Sequence, residues 1–211
     1  MYLPPVPYMA LLAGAGEVQI EAHESYVKST WRNRCEVAGA NGIIPLSIPL
    51  AGGRDHHRLY RDTQIAYTEN WQHRHWTTIY SAYGSAPYYE HYRDRIEPLF
   101  HQHFDNLWEW NEVWLTLLLK LMKLDVKLVY TDSYDRTASE RTDLRHIWRP
   151  GKLPQDITLG EERWRIQDVP YIKVFDQVDT VATGLSSLDL LMNEGPQSRD
   201  ILKRMVTRTI L

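Results

Sequence analysis

The sequence predicts an α/β fold, a central sheet with an antiparallel hairpin at its edge and a helical cluster packed on it. Three observations carry the prediction. Short alternating segments lie near both ends of the chain, an Asn-Gly pair separates two alternating runs after residue 31, and the periodicity changes from two to about 3.6 at Asn70. An α+β arrangement of the same elements is the alternative.

The elements follow in order. Pro4, Pro5 and Pro7 keep the start extended, and residues 8–13 form a short helix that stops at Gly14 and Gly16. Residues 18–22 alternate as a strand. Residues 31–37 and 43–50 form the arms of a hairpin around Asn41-Gly42. In the first arm Trp31, Asn33, Cys35 and Val37 share one face, opposite Arg32, Arg34 and Glu36. Pro45 and Pro49 make the second arm an edge strand. Asn70 opens a helix over 71–83. Ser85 and Pro87 open another to about residue 103. Asp105 or Asn106 caps a third to about 124, apolar nearly all round and therefore central. Residues 127–130 are a strand. Residues 134–169 are polar and long for a connection, which predicts a functional loop or a mobile segment, or else a structured edge with a short strand at 164–166. A strand over 171–175 and helices over 185–193 and 196–208 complete the chain.

Composition sets the class. The 211 residues suit a single domain, and 43% hydrophobic with 24% charged residues is an ordinary globular balance. A net charge of −3 gives no footing for a nucleic-acid or anionic-membrane surface. One cysteine cannot form a disulfide within the chain, which fits a reducing compartment. No apolar run approaches the ~20 residues of a membrane span, and the start lacks the pattern of a signal peptide, so the expected location is the cytoplasm. Eight Trp and 13 Tyr against three Phe point to a core of amphipathic rings or to a pocket for a planar or sugar-like ligand. A homodimer through the Trp-rich helices is a further option.

No P-loop, dinucleotide fingerprint or nucleophile elbow is present. His73/His75 and His101/His103 are spaced two apart, on different helical faces, and no zinc-type ligand pattern occurs, so neither metal nor cofactor is expected. The richest polar stretch is 21–34. His23 and Glu24 there are expected to act as acid and base, together with Asp132 from the end of the later strand. Lys28, Asn33, Arg34 and Ser133 are expected to bind substrate, with His75 and Tyr83 added if their helix face lines the pocket rather than the core. The placement assumes that the strands ending before His23 and Asp132 are parallel neighbours whose carboxyl ends open on one rim.

Lys28-Ser29-Thr30-Trp31-Arg32-Asn33-Arg34, the hairpin ending Leu46-Ser47-Ile48-Pro49, Asn70-Trp71-Gln72 with His75-Trp76, Ala82-Tyr83 with Ala86-Pro87-Tyr88-Tyr89, and residues 185–196 together resemble the WbqC-like family. The resemblance implies a protein of O-antigen or other surface-polysaccharide biosynthesis. It implies an acyl, specifically glycine, transferase acting on a sugar, with a small-molecule sugar or activated amino acid as substrate. The other open reading is a non-catalytic binding or partner protein in glycan assembly.

Overall fold

The computed structural model describes residues 1–52, 58–136, 143–145, 147–151, 153–159, 161–178 and 184–211. Their order is α1 (Val6–Gly14), β1 (Glu17–Ile20), β2 (Arg34–Gly39), β3 (Gly42–Ser47), α2 (Trp71–Tyr83), α3 (Tyr89–Ile96), α4 (Leu107–Leu121), β4 (Lys127–Tyr130), β5 (Asp156–Leu159), β6 (Glu162–Ile166), α5 (Ser187–Glu194), α6 (Ser198–Met205) and β7 (Val206–Ile210). Helices and strands are mixed, as the sequence predicts. The strands are shared among three small sheets: a parallel β1–β4 pair, the antiparallel β2–β3 hairpin, and an antiparallel β5–β6–β7 sheet.

The hairpin keeps the predicted parity. Trp31, Asn33, Cys35 and Val37 are buried, Arg34 is exposed, and Arg32 and Glu36 lie between. Its register pairs Gly39 with Gly42, so the two loop residues are Ala40 and Asn41. Gly42 follows them at φ 109°, a backbone conformation that side chains other than hydrogen resist.

The helices build the core from rings. Trp71 meets Trp110 edge-on at 5.2 Å, and Trp110 meets Trp114 at 5.8 Å and Phe104 at 5.1 Å. Asn106 caps α4 by accepting from Glu109 N–H at 2.8 Å, while Asn70 makes no side-chain cap for α2. One buried hydrophobic cluster runs from Tyr2 to Met205.

Two sequence expectations are corrected. Residues 171–175 form no strand. Their backbone finds partners on α5 instead: Ile172 N–H donates to Glu194 Oε1 at 3.0 Å and Val174 N–H to Asn193 Oδ1 at 3.1 Å, with the Tyr171 hydroxyl on Asp189. The last helix stops at Met205 rather than about 208, because β-branched Val206, Thr207, Thr209 and Ile210 pair with β6 as β7. Within the polar stretch 134–169, β5 and β6 are regular strands, and residues 137–142, 146, 152 and 160 lie outside the described residues.

Candidate functional site

β1 and β4 pair in parallel, with Val18 opposite Leu128 and Ile20 opposite Tyr130. Their carboxyl ends therefore open on the same side, the arrangement in which α/β proteins place ligands. Beside β1 and around these ends lies a cavity of about 910 Å³. That is near the upper end of the usual range for small-molecule sites.

The wall beyond β1 is built by the connection to β2. Glu24 and Arg32 face each other there: Arg32 Nε donates to Glu24 Oε1 at 3.0 Å, and Nη2 contacts the same oxygen. Both side chains are about nine-tenths buried. Glu24 is fixed through its backbone, since its carbonyl accepts from Tyr60 N–H at 2.8 Å. Asn111 of α4 closes the group, its Nδ2 donating to the Arg32 carbonyl at 2.7 Å and to the Tyr60 hydroxyl at 2.6 Å. Burial pushes the Tyr60 hydroxyl above its usual range, so it stays protonated. Four polar atoms of this wall are buried with no hydrogen-bond partner among the described residues: Glu24 Oε2, Asn111 Oδ1, and the indole nitrogens of Trp31 and Trp148. Two of these want a donor and two want an acceptor.

A second polar group seals the strand ends. Glu21 accepts from His23 N–H at 2.7 Å and from the Thr131 hydroxyl at 2.8 Å. The Thr131 oxygen in turn accepts from Ala22 N–H at 3.0 Å. Arg145 reaches Glu21 at 3.3 Å, holds Asp143 through both carboxylate oxygens at 2.8 and 2.6 Å, and donates to the Asp135 carbonyl at 2.8 Å. The polar segment after β4 thus contributes directly to the cavity, with Trp148 packed edge-on against Tyr8 at 5.5 Å.

Of the residues the sequence singled out, Glu24, Asp132 and Ser133 line this cavity. His23 is half-buried and is not among the lining residues, and Lys28 and Arg34 are exposed away from it. Asn33 is a structural residue of the hairpin, accepting from the Tyr26 hydroxyl at 3.0 Å and donating to the Ile48 carbonyl at 3.1 Å. His75 and Tyr83 lie in the core. The His75 ring stacks on Tyr2 with Nδ1 2.9 Å from the Tyr2 hydroxyl, and the Tyr83 hydroxyl accepts from Ala38 N–H at 3.3 Å. Burial lowers His75 to about 4, so the ring is neutral, and raises Tyr83. Cys35 is buried and its thiol is pushed up by the same cause. Among the described residues no group of three or more His, Cys, Asp or Glu is arranged to hold a metal ion, and no helix is long and apolar enough to cross a membrane.

Sequence reasoning missed Arg32, Tyr60 and Asn111. Asn111 carried a usable signal: its helical neighbours three and four positions away, Leu107, Trp108, Trp114 and Leu115, are all apolar, and a buried amide must find partners.

The chain is 22% identical over 222 residues to the uncharacterized protein Rv1507c of Mycobacterium tuberculosis, covering 96% of this chain and 94% of that one. No solved structure matches it. Residues 1–149 match the WbqC-like protein family, and this span holds β1, β4, Glu24, Arg32, Tyr60 and Asn111, so the chain belongs to that family.

Proposed function

We propose that the protein serves surface-polysaccharide biosynthesis of the O-antigen type, as a transferase moving an acyl group such as glycyl from an activated donor onto a sugar hydroxyl or amine. The observation that carries the reading is Glu24: a nine-tenths-buried carboxylate at a parallel strand end, one oxygen held by Arg32 and the other without a partner. Such a carboxylate can accept the proton of the acceptor's hydroxyl or amine as it attacks the acyl carbon, while the bond to the donor's leaving group breaks and that group departs with the bonding electrons. Arg32 fixes its orientation, and the Trp31 and Trp148 indoles are donors suited to a carbonyl or ring oxygen. Aromatic walls suit the apolar faces of a sugar. Asp132 and Ser133 at the β4 end extend the polar rim. His23, Lys28 and Arg34 do not line the cavity and have no part in this reading.

The test is a thermal-shift screen with nucleotide sugars and glycyl donors, followed by mass spectrometry of the mixture. A ligand that binds the folded state raises the midpoint. A mass increase on the sugar that disappears in Glu24→Gln supports transfer. A screen in which no sugar or glycyl compound shifts the midpoint defeats the reading.

A second reading, a non-catalytic binding protein of glycan assembly, is favoured by one observation. Neither histidine nor cysteine is among the described residues lining the cavity. Under it the same compounds shift the midpoint and no product forms.

A further inference from the structure

One corner of the cavity has a chemistry of its own. Trp108 stands edge-on to Tyr60 at 5.3 Å and to Tyr130 at 5.8 Å, and all three rings line the space. Carboxylates flank them on both sides: Glu24 is joined to Tyr60 through the backbone, and burial together with the neighbouring Glu112 carboxylate pushes the Tyr130 hydroxyl up to about 12. Glu24 Oε2 and Asn111 Oδ1, both buried without a partner, require donors, and Asn111 is already tied to Tyr60. Charge points the same way. Seven carboxylates line the cavity against two guanidinium groups among the described residues, and both guanidinium groups already hold carboxylates.

Ring faces with adjacent carboxylates and unfilled acceptors recognise an ammonium group, which offers three donors and a compact positive charge. A phosphate or free carboxylate would meet like charge on most sides. We propose that this corner binds the protonated primary amine of the substrate, at Glu24 Oε2 and Asn111 Oδ1 and against the Trp108 and Tyr130 rings, the Tyr60 ring being covered by the Arg32 guanidinium. The inference rests on the transferase reading for the choice of ligand, and it adds which group of the ligand is read. An aminoacyl donor and an amino sugar both carry such an amine.

Calorimetric titration with four compounds separates the cases: glycinamide, N-acetylglycinamide, glucosamine and N-acetylglucosamine. At least one free amine is expected to bind about tenfold tighter than its acetylated form, a difference of ~1.4 kcal/mol. Preference for glycinamide assigns the corner to the aminoacyl donor, where Glu24 holds the donor in place of serving as base, and preference for glucosamine assigns it to the acceptor, whose ammonium Glu24 holds before taking its proton. Trp108→Leu and Glu112→Gln, both at half-buried positions where folding is checked by melting, are expected to weaken amine binding about fivefold or more and to leave the acetylated compounds unchanged. Equal binding of free and acetylated forms, or no binding of either amine, overturns the inference. The two proposals fail separately. Glycyl transfer in a protein that binds free and acetylated amines equally would remove the amine site and keep the transferase, while amine binding without any product would do the reverse.

Discussion

Glu24 and Arg32 are eight residues apart and meet side by side in a buried wall, with one carboxylate oxygen serving two guanidinium nitrogens. Removing one member leaves the other charge buried alone, which costs far more than a surface pair. Arg32→Ala is expected to lower stability by about 3–5 kcal/mol in urea titration, and the double replacement Glu24→Met with Arg32→Met by clearly less. Equal losses in the two variants would show that packing, not the unpaired charge, dominates.

His75 sets a pH dependence. Burial lowers it from 6.5 to about 4, with Arg74 a smaller contribution. The unfolded chain therefore binds this proton at a higher pH than the folded one. The stabilisation from keeping the ring neutral is full above about pH 6.5 and is lost as pH falls toward 4, about 3 kcal/mol in all. In His75→Gln that part of the pH profile is expected to flatten, and ligand binding is expected to persist because the residue lies outside the cavity. Urea midpoints measured from pH 4 to 8 check both signs.

Gly195 ends α5 at φ 53°, and a Cβ there would stand 2.5 Å from a Tyr88 ring carbon. Strain and overlap act together at this position. Gly195→Ala is expected to lose about 2 kcal/mol or more, visible as a fall in melting temperature of several degrees. An unchanged melting temperature would mean that Tyr88 moves freely aside.

Cys35 is almost wholly buried. A thiol reagent is expected to label it only after denaturation, with a rate that follows unfolding. Rapid labelling of the folded protein would place the β2–β3 hairpin in frequent local opening.

The main buried cluster joins α1, the central helices and α6. We expect heat to unfold the chain in one transition, with calorimetric and van't Hoff enthalpies equal. Two resolved transitions would divide it into separate domains.

The legible parts of the fold are those whose signal is local. Trp71–Tyr83 and Lys127–Tyr130 fall where the sequence places them, because a helical stripe and an alternating run are each complete within their own segment. The error at 171–175 is of another kind: the segment has strand-forming side chains, but its Ile172 and Val174 N–H groups go to Glu194 and Asn193 on a neighbouring helix. The site divides along the same line. Glu24 and Asp132 were found from strand ends. Tyr60 and Asn111 join Glu24 only through tertiary contacts, 36 and 87 positions away from it in the sequence, and no spacing rule connects them.

The β1–β4 pairing also shapes how the chain reaches this structure. Glu17 and Lys127, the first partners of the register, are 110 positions apart, and their side chains join at 2.8 Å. Closing so long a loop has an entropic cost that must be met before the pair contributes anything, whereas the hairpin and the helices form from neighbours. The central helices α2, α3 and α4, neighbours in sequence, are therefore expected to assemble first, and the cavity, whose rim needs both strand ends, to be among the last features to appear.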